Sequence, residues 1–125
     1  MTFFSLTDLK TQGVNNRNAN GEPFPADIVQ KVWEKGQPLA GEDPNRVRRD
    51  RCGAIIHREK FGQSSEALSG GWEIDHIKPL AMGGTDEFPN LQPLQWENNR
   101  HKGNAHPSWM CTVEGGKELN KYIGQ

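Results

Sequence analysis

Residues 25–35 have the clearest periodic pattern of hydrophobic positions in the chain. The hydrophobic side chains recur at helical spacing and form one stripe: Ile28, Val29, Val32 and Trp33. Pro25 suits the first turn of a helix, and Gly36 suits the position after its last turn. The pattern therefore predicts a helix over residues 25–35 whose stripe packs in the core.

Shorter hydrophobic runs predict strands, and turn-forming residues separate them. The predicted strands cover residues 53–60, 72–77 and 91–95. A turn at Gly83 and Gly84 lies in the loop between the last two strands. The last strand leads into a short helix predicted over residues 96–102, which Gly103 ends.

The other parts of the chain are mostly polar. Residues 36–50 are predicted to form an extended loop, and residues 104–125 a polar tail. With 125 residues, of which 33% are hydrophobic, the chain suits one domain with a modest core. We therefore expect a small single α+β domain over residues 25–125, preceded by an N-terminal segment, residues 1–24, that is partly loop.

The start of the sequence and the overall charge bear on location and partners. The first residues lack the basic start and the long apolar run of a signal peptide or a membrane helix. A cytoplasmic protein without a membrane partner is the default expectation. The net charge is −1, and because domains that bind nucleic acid are usually basic, this charge argues slightly against such a partner.

Four arginines nevertheless lie close together in the sequence: Arg46, Arg48, Arg49 and Arg51. Such a local basic cluster can follow a nucleic-acid backbone and release its counterions. A solvated loop is the alternative interpretation, and the sequence favours neither.

Asp75 and His76 are adjacent at the end of the strand predicted over residues 72–77. Neighbouring side chains of a regular strand point to opposite faces, whereas both can converge on one point at the mouth of a loop. A carboxylate there can hold a hard divalent cation, and a neutral imidazole beside it can act as a general base. By itself, such a pair is more often an exposed polar pair than a site.

Further polar residues follow at spacings that strengthen the interpretation as a site. Asn90 stands at the start of the next strand, and Asn99 lies in the helix after it. Lys102 follows Asn99 by about one helical turn and therefore shares its face. A strand–loop–strand–helix unit would bring Asn99 opposite Asp75, and two oxygen ligands suit Mg²⁺ or Mn²⁺.

Three motifs of this region resemble those of HNH endonucleases. They are Asp-His-x-x-Pro-x-x-x-Gly-Gly from Asp75, Asn-Leu-Gln-Pro-Leu from Asn90 and Asn-x-x-Lys-Gly from Asn99, in this order within residues 72–103. The resemblance implies a ββα-metal core and a metal-dependent hydrolysis of phosphodiester bonds in DNA. One site per chain would nick one strand per encounter, and the lack of a known recognition motif predicts low sequence specificity.

The resemblance also implies a role for each polar residue of these motifs. His76 would be the catalytic general base, and Asn90 would fix the loop so that His76 points at the phosphate. Asp75 and Asn99 would be the metal ligands. Contacts with phosphate or nucleic acid are expected from five basic residues: Lys102, Arg100, His101, Arg49 and Arg51.

The two cysteines, Cys52 and Cys111, belong to no C-x-x-C pair. Many HNH proteins carry two such pairs that bind a structural zinc, whereas the corresponding residues 52–55 and 95–98 keep a single cysteine. We therefore expect no structural zinc, and Mg²⁺ or Mn²⁺ as the catalytic cation. We also expect free or half-buried thiols, although a disulfide between the two cysteines is geometrically possible.

Other classes of function remain open alongside the endonuclease. One is a non-catalytic nucleic-acid-binding module of the same fold. Another is a toxin nuclease that an immunity partner controls. A structural metal-binding domain with Cys52 and Cys111 as ligands fits the spacing poorly. The oligomeric state is left open.

Overall fold

The computed structural model describes residues 15–124. Over these residues the chain forms helices α1 (Ala26–Trp33) and α2 (Trp96–Lys102) and the strands β1 (Gln37–Pro38), β2 (Val47–Arg49), β3 (Ile55–His57), β4 (Trp72–His76), β5 (Leu91–Gln95), β6 (Val113–Gly115) and β7 (Asn120–Tyr122). The strands pair into small antiparallel sheets, β1-β2-β3, β4-β5 and β6-β7. This part of the chain is thus a small mixed structure of helices and strands. Neither of its helices has the length and hydrophobicity that crossing a membrane requires.

The hydrophobic core lies between α1 and the β4-β5 hairpin. Three residues of α1 are buried there: Val29, Val32 and Trp33. Trp72 of β4 packs in the same cluster, with ring centroids 5.2 Å from Trp33 and 4.8 Å from Phe61, a range in which aromatic pairs attract. The helix predicted over residues 25–35 is therefore present, and its hydrophobic stripe faces the core.

The β4-β5 hairpin runs directly into α2. His76, the last residue of β4, pairs with Leu91, the first residue of β5. Gln95 caps α2, because its side-chain oxygen accepts hydrogen bonds from the backbone N–H groups of Glu97 (2.9 Å) and Asn98 (3.1 Å). The order of strand, loop, strand and helix is the one that the sequence predicts.

β4 has a hydrophobic face and a polar face, and both are buried. Trp72 and Ile74 pack in the core, whereas Glu73 and Asp75 lie on the opposite face and contact side chains of α2. Buried carboxylates are costly unless hydrogen bonds or opposite charges compensate them. The packing of α2 on β4 therefore depends on polar partners that the helix supplies.

Several short elements differ from the sequence prediction. Residues 36–50, predicted as loop, contain β1 and β2, and the predicted tail, residues 104–125, contains β6 and β7. β3 covers only Ile55–His57 of the strand predicted over residues 53–60, and a 3-10 turn follows it. Elements of two or three residues are too short to show a hydrophobic period. They form because other segments of the chain supply hydrogen-bond partners for their backbone N–H and C=O groups.

A buried carboxylate, Asp50, connects the turn before β3 to the start of α2. Its Oδ1 accepts hydrogen bonds from the backbone N–H groups of Cys52 and Ala54, each at 2.9 Å. Its Oδ2 accepts from the backbone N–H of Gln95 at 2.9 Å and from the side-chain amide of Asn98 at 3.1 Å. Burial raises the pKa of Asp50, and the four donors oppose that rise because they stabilise the carboxylate.

Cys52 and Cys111 form a disulfide, so the expectation of free thiols is wrong. The bond joins positions 59 residues apart, a relation that no local sequence pattern reports. Nearby, Oδ1 of Asn98 accepts hydrogen bonds from the backbone N–H groups of Thr112 and Val113, each at 2.8 Å. The disulfide and Asn98 together hold the segment that leads into β6 against the rest of the fold.

Two of the four clustered arginines are half-buried and bond to backbone carbonyls of other segments. Arg48 donates to three backbone carbonyls, those of Glu34, Gly36 and Pro44. Arg49 donates to three others, those of Gly53, Gly115 and Gly116. The guanidinium group of Arg49 thus joins the turn before β3 to the β6-β7 hairpin. Its contact with nucleic acid stays a prediction.

Replacing Asp50 by alanine should lower the free energy of unfolding by at least about 3 kcal/mol, because the buried N–H groups of Gln95 and Ala54 lose their acceptor. Urea denaturation followed by circular dichroism measures this loss. Asp43→Ala is the matched control, since Asp43 accepts a hydrogen bond from the backbone N–H of Asn45 in an exposed turn. Losing this hydrogen bond should lower the free energy of unfolding by about 1 kcal/mol or less. Equal losses for the two variants would contradict the role of Asp50.

Candidate active site

Asp75, His76 and Asn99 line one small pocket where β4 meets α2. Asn15, from the segment that the sequence analysis separated from the domain, lines the same pocket. The pocket volume is about 50 Å³, which is room for an ion or a few water molecules but not for a nucleotide. A polymeric substrate could therefore reach these side chains only across the mouth of the pocket.

The imidazole of His76 is held by Asp86. Nε2 of His76 lies 2.8 Å from Oδ1 of Asp86, and both oxygens of Asp86 are 3.0 Å from the backbone N–H of Ala19, which donates to them. An ionised carboxylate only accepts hydrogen bonds, so Nε2 carries a proton, and in the neutral ring Nδ1 has a free lone pair. The His76 side chain is only 10% exposed, so its orientation is restricted as well.

The loop after β4 folds back sharply to bring Asp86 to His76. Gly83 has a φ of +88°, and a Cβ on Gly84 would overlap the backbone carbonyl of Lys78. The two glycines of the motif are thus required by the backbone. Asp86 has no role among the residues predicted from the sequence, where its only mark is an acidic side chain shortly after this glycine turn.

Asn90 closes the base of the same loop. Its Oδ1 accepts a hydrogen bond from the backbone N–H of Lys78 at 2.8 Å, and its Nδ2 donates to the carbonyls of Lys78 (3.1 Å) and Thr85 (2.8 Å). The backbone carbonyl of Asn90 accepts from the N–H of Ile77 at 2.8 Å. This geometry fits the loop-fixing role expected for Asn90, which acts on the backbone that carries His76.

Asp75 and Lys102 form a buried ion pair. Nζ of Lys102 lies 3.2 Å from Oδ1 of Asp75 and donates to the backbone carbonyl of His76 at 3.0 Å. Oδ2 of Asp75 accepts from Nε2 of Gln92 at 2.9 Å. Burial raises the pKa of Asp75, and the charge of Lys102 and the hydrogen bond from Gln92 oppose the rise. Lys102 is thus buried and compensates the charge of Asp75. Its contact with phosphate stays a prediction.

Asn99 is buried on α2, and its amide nitrogen is fully engaged. Nδ2 donates to Oε1 of Glu73 at 3.0 Å and to Oδ1 of Asn15 at 3.4 Å. The backbone carbonyl of Asn99 accepts a hydrogen bond from the N–H of Gly103 at 3.1 Å. Within residues 15–124, by contrast, no donor bonds to the side-chain oxygen Oδ1 of Asn99, so among these residues Oδ1 is available as a ligand. Glu73 is not among the site residues predicted from the sequence.

The remaining residues expected to contact nucleic acid lie at the surface. Arg100 donates to Glu73, with 3.0 Å between Nη2 and Oε2, and 43% of its side chain stays exposed. His101 is exposed on the same helix. Arg51 is exposed and lies over the Trp109 ring, 5.1 Å from its centroid.

The oxygen donors at the pocket suit a hard divalent cation. The carboxylate of Asp75 and the amide oxygen of Asn99 are the types of ligand that Mg²⁺ and Mn²⁺ prefer. In the described part of the chain, no three or more His, Cys, Asp or Glu side chains are grouped so that they could hold a metal ion. A cation would therefore take most of its ligands from water and phosphate, which is how Mg²⁺ usually binds.

Comparison with known proteins agrees with the resemblance seen in the sequence. Residues 51–105 match the family model described as HNH endonuclease. The match includes β3, β4, β5 and α2, and it extends beyond residues 72–103 at both ends. No curated protein and no solved structure matches the chain. The resemblance to this family is thereby confirmed.

Replacing Asn90 by alanine should loosen the loop after β4 without unfolding the protein, since only exposed or half-exposed hydrogen bonds are lost. Amide hydrogen exchange in residues 78–86 should become about tenfold faster, which corresponds to the loss of roughly 1.4 kcal/mol of local stability. Asn45→Ala, a change in an exposed turn, should leave exchange in this loop unchanged. Wild-type exchange rates in Asn90→Ala would contradict the loop-fixing role.

Proposed function

Since residues 51–105 match the family model described as HNH endonuclease, we propose that this protein hydrolyses phosphodiester bonds of DNA with the help of one divalent cation. In this proposal β4, β5 and α2 are the ββα-metal core, and α1 is an additional helix before it. The supporting observation is that Asp75, His76 and Asn99 line one pocket. They supply a base and hard oxygen ligands, which metal-assisted hydrolysis requires.

His76 takes the proton from the attacking water. Its Nε2–H donates to Asp86 at 2.8 Å, so Nδ1 is the nitrogen that accepts the proton. The carboxylate of Asp86 then stabilises the imidazolium that forms, and its bonds to the backbone of Ala19 keep it in place. Asn90 contributes indirectly, because it holds the loop that carries Asp86.

Asp75 and Asn99 are the residues that would hold the cation, Mg²⁺ or Mn²⁺. Bound there, the cation would supply stabilisation of negative charge on the phosphate and on the departing 3′ oxygen. Asp75 has to be ionised for this role, and the buried ammonium of Lys102 favours the ionised form. Departure of the 3′ oxygen leaves 5′-phosphate and 3′-hydroxyl ends.

Exposed basic side chains would contact the phosphate backbone. Arg100 and His101 extend from α2, the helix that carries Asn99, and Arg51 lies at the start of the matched region. These contacts read no bases, so we propose cleavage with low sequence specificity. One site per chain would nick one strand per encounter.

A non-catalytic nucleic-acid-binding module is the second candidate, and one observation favours it. The ammonium of Lys102 already bonds to Oδ1 of Asp75 at 3.2 Å, where it competes with a cation for the carboxylate. An active enzyme requires that Asp75 accept the cation beside Lys102 or in its place. Cleavage that depends on a divalent cation separates the two candidates.

The purified protein should convert supercoiled plasmid to the open circular form in Mg²⁺ or Mn²⁺, and EDTA should abolish the reaction. His76→Ala should lower the rate about 10²- to 10⁴-fold, because the general base is lost. His106→Ala, outside the pocket, is the matched control and should cut at close to the wild-type rate. A gel time course measures all three proteins.

Wild-type cleavage by His76→Ala, or cleavage that persists in EDTA, would refute the proposed mechanism. Binding of the plasmid without cleavage in either cation would favour the non-catalytic module instead.

A further inference from the structure

We propose that Glu73 is a positioning residue that turns the amide of Asn99 so that its carbonyl oxygen faces the cation site. This inference rests on the proposed function, because it takes Asn99 to be a metal ligand. Glu73 lies outside the motifs by which the site can be found in the sequence. It acts through Asn99 rather than on substrate.

Glu73 is placed to act on Asn99 by the alternation of β4. It stands two residues before Asp75 and therefore projects from the same face of the strand, toward α2. Glu73 is only 3% exposed. Its Oε1 lies 3.0 Å from Nδ2 of Asn99. The same face of β4 therefore provides one proposed ligand, Asp75, and binds the other, Asn99, through Glu73.

The chemistry of the contact decides which way the amide of Asn99 points. An ionised carboxylate can only accept hydrogen bonds, so the amide must present its nitrogen to Glu73. Oδ1 of Asn15 accepts from the same nitrogen at 3.4 Å. A flipped amide would set its oxygen against the carboxylate of Glu73 and lose the bond to Asn15. Only one orientation satisfies all partners, and it leaves the oxygen free for the pocket.

Arg100 makes it possible to keep the Glu73 carboxylate buried and charged. Its Nη2 lies 3.0 Å from Oε2 of Glu73, and its Nε lies 3.4 Å from Oε1. A buried carboxylate is costly without such compensation. Since Oε1 is shared between Arg100 and Asn99, the ion pair also fixes the oxygen that orients the amide. Hydrogen bonds of this kind to a metal ligand typically change metal affinity about 10- to 100-fold.

The length and the charge of Glu73 can be tested separately. Glu73→Asp keeps the negative charge but retracts the carboxylate by one methylene group, so it can no longer reach Asn99. Glu73→Leu removes both charge and acceptor. We expect Mn²⁺ to bind at least about tenfold more weakly to both variants than to the wild type. The measurement is a titration of free Mn²⁺ by electron paramagnetic resonance, on folded protein without nucleic acid.

The same proteins show whether Asn99 is a ligand at all. Asn99→Ala should lose Mn²⁺ affinity at least as strongly as Glu73→Asp. If Asn99→Ala binds Mn²⁺ like the wild type, the metal site of the proposed function is wrong. If Asn99→Ala is impaired but Glu73→Asp is not, the site stands and the positioning role of Glu73 is overturned, because charge near the site is then sufficient.

A second measurement does not require Glu73 variants that fold. In ¹⁵N-labelled wild-type protein, the side-chain NH₂ protons of Asn99 should exchange with solvent at least about tenfold more slowly than those of Asn45, which is exposed. Addition of Mg²⁺ should leave this protection in place, because the cation takes the oxygen and not the nitrogen. Rapid exchange of the Asn99 protons, equal to that of Asn45, would overturn the proposal.

Discussion

The four hydrogen bonds to the carboxylate of Asp50 are the constraint on which the arrangement of the fold depends. They join the turn before β3 to the last residue of β5 and to Asn98 in the first turns of α2. Asn98 in turn binds the backbone of Thr112 and Val113, and the disulfide to Cys111 starts in the same turn. A small domain with a modest hydrophobic core is thus held at this junction by polar groups and one covalent bond.

The direction of α2, once fixed by this junction, determines the candidate site. It sets Asn99 and Lys102 over the polar face of β4, where Glu73 and Asp75 are buried. Each of the two carboxylates has a basic partner from α2, as a buried charge requires. The same contacts that stabilise the helix on the strand therefore bring together the oxygen donors for a cation, next to the imidazole of His76.

Hydrophobic runs in the sequence predict α1, β4, β5 and part of β3, and the polar segment that Gly103 ends predicts α2. The sequence does not predict β1, β2, β6 and β7, which have two or three residues and depend on distant partners. In the site, local motifs indicate Asp75 and His76. Lys102 points inward because it pairs with Asp75, 27 residues away in the sequence. Asp86 reaches His76 only because the loop between them folds back over ten residues. Such relations are properties of the tertiary structure, so local spacing cannot report them.

The proposed mechanism requires that Asp75 and Asn99 share one cation beside His76. Anomalous diffraction from crystals grown with millimolar Mn²⁺ tests it most directly, since it locates the cation without any assumption about activity. We expect one strong peak in the pocket, about 2.1 Å from an oxygen of Asp75 and from Oδ1 of Asn99. A peak at other residues, or no peak in the pocket while Lys102 keeps its bond to Asp75, would contradict it.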